Sequence, residues 1–118
     1  MRQTFAQKTL GSAYQLSIYA GLGKGVSLLD FHLVRCRKQA FENASTKLYD
    51  LAHSGVSSQK IRAAVKSYHA DILAEQAQNE AVYAGVWGGG TKYGSAGRLQ
   101  AYRFILKEID WLLGKKVD

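Results

Sequence analysis

Five apolar side chains late in the chain, Leu99, Tyr102, Leu106, Ile109 and Leu113, fall at alternating steps of three and four residues. That spacing returns to one side of a helix every turn, and it is the seam of a helix packed in a bundle. A strand would need alternation at every second position, which these residues break. The seam predicts a helix over residues 95–114, closed by Gly114 and followed by Lys115 and Lys116, where cations complement the helix C-terminus.

The rest of the chain repeats the pattern. The chain has 118 residues and not one proline, so nothing interrupts long helices. Residues 3–20 are predicted helical with Phe5, Leu10, Tyr14, Leu16 and Ile18 on an imperfect apolar face, and Gly11 weakens it. Residues 27–53 follow, with Phe41, Ala44, Leu48 and Leu51 at helical spacing and a soft point at Ser45 and Thr46. The run Ser54-Gly55-Val56-Ser57 ends that helix at Gly55 and offers Ser57 as N-cap for the next. The third helix carries Ile61, Val65, Tyr68 and Ile72, with Leu73 and Ala77 beside them, and reaches about residue 83. The expected fold is therefore all-α. It is a single domain over residues 1–118, a bundle of about four helices, built as two helix-loop-helix halves joined at the Ser-Gly-Val-Ser turn.

Two similar stretches, Ile18-Tyr-Ala-Gly-Leu and Val82-Tyr-Ala-Gly-Val, read as helix stops. Each predicts a glycine, Gly21 or Gly85, in the left-handed conformation just past a last turn. The second opens a Gly-rich loop over residues 85–95. This loop is not a nucleotide-hydrolysis motif. In Gly85-Val-Trp-Gly-Gly-Gly-Thr91-Lys92 the final pair is inverted relative to the phosphate-cradling sequence, and a helix precedes it where a strand is required. Gly21-Leu-Gly-Lys-Gly25 likewise departs from the dinucleotide pattern.

Charge directs the functional reading. Sixteen Lys and Arg against nine Asp and Glu leave a formal charge of +7, which favours anionic partners. The excess is uneven: residues 81–107 hold Lys92, Arg98, Arg103 and Lys107 and no acid. Trp87 and Tyr93 flank these cations and are suited to stacking on exposed bases. Lys24, Arg35, Arg37 and Lys38 would extend the patch. The plainer alternative is that both aromatics fold inward and the cations merely face water.

Other chemistries find less support. The segment over residues 48–68 looks like the joint of the first two helices in many trihelical DNA-binding domains. The sequence after it continues without a second turn and becomes acidic, where a recognition helix is required. His32 and Cys36, four apart on one helix face and near Arg35, Arg37 and Lys38, suggest a nucleophile and base, but no third orienting residue is identifiable. A lone cysteine among aliphatics more often fills a core. His32, His53 and His69 are scattered and give no metal spacing. No catalytic motif, cofactor or metal set is expected. The single cysteine excludes an internal disulfide and points to a reducing, cytoplasmic setting. The uncharged run over residues 9–23 is too short and polar to span a bilayer, and it lacks the features of a cleaved leader.

The expected function is non-catalytic binding of nucleic acid, DNA or RNA, mainly at phosphates and with little sequence discrimination. The alternative is a protein-interaction module, an adaptor or inhibitor presenting the Gly-rich loop together with Phe104 and Trp111. These two lie seven residues apart on a second apolar face of the last helix, and Trp, Tyr and Arg dominate interface hot spots. Such a face also suits a homo-oligomer.

Overall fold

Thr4 starts the first helix with a reciprocal cap. Its hydroxyl accepts from the Gln7 amide at 3.1 Å, and the Gln7 side chain accepts from the Thr4 amide at 2.8 Å. The structure is a computed structural model that describes residues 3–21, 28–85 and 90–115. Among the described residues there are four helices: α1 (Phe5–Ala20), α2 (Leu28–Ala52), α3 (Ser58–Ala84) and α4 (Gly90–Leu112). No strand occurs among the described residues. Lys24, Trp87 and residues 86–89 of the expected Gly-rich loop lie outside the described residues.

α2 lies between α1 and α4, and α4 lies between α2 and α3. The array is elongated, 49 × 27 × 25 Å. Leu16, Phe41, Leu48, Ile61, Val65, Ile105 and Ile109 fill its core. Burying each of these large side chains is worth about 1.5–3 kcal/mol. At one end the two outer helices also meet, with the Arg62 guanidinium of α3 4.4 Å from the centre of the Phe5 ring.

The α1 face differs from the expected one. Tyr14 and Ile18 point to solvent, while Phe5, Thr9, Ser12, Ala13, Leu16 and Ala20 are buried. Small residues let α1 lie close on α2. Contact is sealed by Ser45, whose hydroxyl donates to the Ala13 carbonyl at 2.6 Å. Ser45 is thus a tie between helices, and α2 runs unbroken through the expected soft point.

α4 begins earlier than expected. Gly90 to Gly94 already belong to it, so the second half of the expected flexible loop is helix. Packing overrides the poor helix propensity of glycine here. At Gly97 the α4 backbone presses on α2: a β-carbon there would collide with the Leu33 carbonyl oxygen and stand 3.1 Å from the Arg37 amide nitrogen. Ala101 continues the same close approach one turn on.

Between α2 and α3 the chain turns through Gly55 in the left-handed conformation, φ 76°, and Ser57 caps α3 by accepting from the Lys60 amide at 3.3 Å. Gly21 and Gly85 do not behave as expected. Gly21 stays right-handed at φ −82°, and Gly85 is extended at φ −68°, ψ 156°. α3 then continues to Ala84 without a second turn, so a helix-turn-helix is not formed. From the turn onward α2 and α3 separate, each resting on α4.

Candidate nucleic-acid interface

The expected basic cluster divides according to the pitch of α4. At about 100° per residue, Arg103 and Lys107 lie roughly 140° and 180° around the helix from Arg98. Arg98 turns inward, half-buried between α2 and α3. Its guanidinium donates to Asn79 Oδ1 at 3.3 Å and lies 3.9 Å from Cys36 Sγ. Arg103 and Lys107 are exposed on the far side. A single surface holding Lys92, Arg98, Arg103 and Lys107 is therefore not formed.

The outward side of α4 carries a continuous stripe. Tyr93, Gln100, Phe104, Lys107 and Trp111 recur at intervals of seven, four, three and four residues, and all five are exposed. The run from Tyr93 to Trp111 covers about 27 Å of helix. Tyr93, Phe104 and Trp111 are 36%, 48% and 56% exposed, so all three present ring surface to solvent. Arg103 lies beside the stripe. Arg37 joins it from α2 by donating to Gln100 Oε1 at 2.7 Å.

Phe104 is steadied from beneath. Its ring lies 5.2 Å from that of Tyr19 and 6.2 Å from that of Phe41, both tilted. Tilted aromatic pairs at such distances add about 0.5–1.5 kcal/mol beyond the area they bury. One face of Phe104 is thus fixed while the remainder stays open. The stripe holds no carboxylate. Of the two acids on this helix, Glu108 is half-buried, and Asp110 is engaged by His69 at 3.0 Å and Lys115 at 3.7 Å.

The other expected cations sit elsewhere. Lys92 is half-buried with its ammonium 5.1 Å from the Tyr83 ring centre, tying α4 to α3. Lys38 pairs with Glu42 at 3.9 Å on the exposed side of α2. Arg35 borders the opening between α2 and α3, together with Lys47, which the sequence reading passed over. A helical projection exposes Lys47: with Cys36 and Asn43 it forms one stripe of α2.

His32 and Cys36 do share a side of α2. Both border Gly94, where a β-carbon would stand 3.2 Å from Cys36 Sγ and 3.2 Å from His32 Nε2. The thiol is half-buried in the wall of the opening beside Arg98. Deeper in the same opening, Tyr102 donates its hydroxyl to Glu75 Oε2 at 2.9 Å. Burial, then this hydrogen bond and the negative charge of Glu75, hold the Tyr102 phenol well above its ordinary range. Burial also pushes the Tyr68 phenol up to about 12, helped by the carboxylates of Glu75 and Asp71. Both tyrosines are therefore neutral hydrogen-bonding groups near neutral pH.

Among the described residues, no three His, Cys, Asp or Glu side chains gather to hold a metal ion, and no helix is long and apolar enough to cross a membrane. The chain matches no family model, no curated protein and no solved structure.

Proposed function

We propose that the protein binds nucleic acid without catalysis, through the outward side of α4. The observation that carries this reading is the exposed stripe of Tyr93, Gln100, Phe104, Lys107 and Trp111, with Arg103 and Arg37 beside it and no carboxylate within it. Flexible cations meet phosphates, and the rings offer sequence-tolerant stacking worth about 1–3 kcal/mol per base. Unpaired bases are the natural target of such rings, so single strands are favoured over duplex. Within this reading Arg98 and Arg35 are not part of the surface, and Lys38 and Lys92 are engaged elsewhere.

The test is a salt titration of binding to a single-stranded oligonucleotide. Log affinity falls linearly with log salt, at about 0.7 per phosphate contacted. Replacing Arg103 and Lys107 by Gln lowers the slope by about 0.7 for each cation removed. Trp111→Ala weakens binding with the slope unchanged. An unchanged slope in the double Gln variant defeats the reading.

Phe104 and Trp111, 48% and 56% exposed, also favour a second reading in which the same side docks a protein partner. That interface would show little salt dependence and would survive nuclease treatment. A partner retained after nuclease treatment and lost in Trp111→Ala supports it over nucleic acid.

A further inference from the structure

The opening between α2 and α3 is a built cavity of about 530 Å³, floored by α4. Small-molecule sites occupy roughly 300–1,000 Å³. Its position follows from the fold. The two helices part after the turn at Gly55, and the stripe of α3 that is apolar through Ile72 becomes polar at Glu75 and Asn79. The facing side of α2 is a polar stripe of Cys36, Asn43 and Lys47, beside the buried stripe of Ala44 and Leu48.

Arg98 stands in the floor. Half-burying a guanidinium is costly unless a counter-charge is near. Its contacts are both neutral, Asn79 Oδ1 at 3.3 Å and Cys36 Sγ at 3.9 Å, and among the described residues no carboxylate lies within ion-pair distance of it. A guanidinium has five N–H donors, and these contacts engage two. Arg35 lines the same end of the space and Lys47 the far end, about 16 Å along α2 from Cys36, and the carboxylate of Glu75 lies between them. Glu75 is held through Oε2 by Tyr102 at 2.9 Å, which leaves Oε1 to accept from a ligand. Beyond Glu75, Ile72 and Tyr68 supply an apolar wall one and two turns farther from Arg98 along α3.

We propose that this cavity binds a small phosphate monoester whose other end carries a ring with a hydroxyl or amine, the size and chemistry of a mononucleotide or a sugar phosphate. The phosphate meets Arg98 and Arg35 at the Cys36 end of the cavity. The ring lies against Tyr68 and Ile72, and its hydroxyl or amine donates to Glu75. This site does not rest on the nucleic-acid reading, because Arg103 and Lys107 lie on the opposite side of α4.

Cys36 provides the readout. It is the only cysteine of the chain and lines the cavity, so its alkylation reports occupancy at one place. Alkylation by iodoacetamide is followed by mass spectrometry with adenosine 5′-monophosphate, ribose 5-phosphate, inorganic phosphate or adenosine, alongside equilibrium dialysis of the same compounds. The two phosphate monoesters are expected to bind and to slow alkylation, and adenosine is expected to do neither. Inorganic phosphate alone protecting as well as both esters would overturn the ring contact and with it the proposed class. Arg98→Gln and Arg35→Gln should each weaken ester binding roughly tenfold or more, as loss of a charge-assisted hydrogen bond does. Gln at both Arg103 and Lys107 should leave it unchanged while reducing oligonucleotide binding, so the two sites fail separately. If Arg98→Gln does not fold, Arg35→Gln, a change at an exposed residue, decides alone. No protection of Cys36 by either ester at millimolar concentration, or equal binding by Arg35→Gln, would overturn the assignment.

Discussion

Gly97 is the residue that fixes how closely α2 and α4 approach. A methyl group there meets the Leu33 carbonyl and the Arg37 amide, which are backbone atoms inside a continuous helix and cannot turn aside. Gly97→Ala is expected to destabilise the fold by about 1–3 kcal/mol, the usual cost of overpacking a tight contact. Gly11 makes the natural comparison. It lies inside α1, and a β-carbon there meets nothing within 4 Å. Gly11→Ala should therefore stabilise by about 0.5–1 kcal/mol, through helix propensity alone. Denaturant midpoints of the two variants shifting in the same direction would refute this account. Neither role is visible in the sequence, where Gly11 reads simply as a weak helix former and nothing marks Gly97 as a contact point.

At the level of elements, the strongly periodic segments were legible and their neighbours were not. Ile61, Val65 and Ile72 are buried as spacing required, and Ser57 caps α3 as its position required. The start of α4 was misread because local propensity argues against helix at Gly90 and Gly94, and only packing against α2 reverses it. The face of α1 was misread because its buried side is chosen by small size, not by hydrophobicity. The division of the cations was concealed for another reason. Arg98, Arg103 and Lys107 are neighbours in sequence, and only the helical pitch separates them. α3 also carries an expectation of its own. Past Ile72 nearly every residue to its end is exposed, whereas Ile61, Val65 and Ile72 are sealed. Amides over residues 74–84 should exchange with deuterium well before those over residues 61–72. Uniform exchange along α3 would show that its second half is held by more than the contacts described above.

For the whole molecule, the two shielded tyrosines link stability to alkaline pH. In the unfolded chain a tyrosine ionises near 10.0, while folding keeps Tyr68 protonated to about 12 and Tyr102 beyond its ordinary range. The folded state then binds more protons than the unfolded state above pH 10. Stability is unaffected below that value and falls as pH rises through the window up to the folded values. The contribution of Tyr68 to that loss is about 1–2 kcal/mol. Tyr68→Phe should flatten part of the decline, read as denaturation midpoints between about pH 9 and 11. An identical decline in the variant would count against a shielded phenol.

The second half of α3 is a long arm held to α4 at a few points. The helix is rooted near the Gly55 turn, and beyond Ile72 its contacts with α4 include Asn79 with Arg98 and Tyr83 with Lys92. The arm from Ile72 to Ala84 is about 18 Å long, so a 5° tilt at its root moves the tip by about 1.5 Å. Glu75 and Asn79 ride on that arm, so a tilt of that size would alter the width of the opening between α2 and α3.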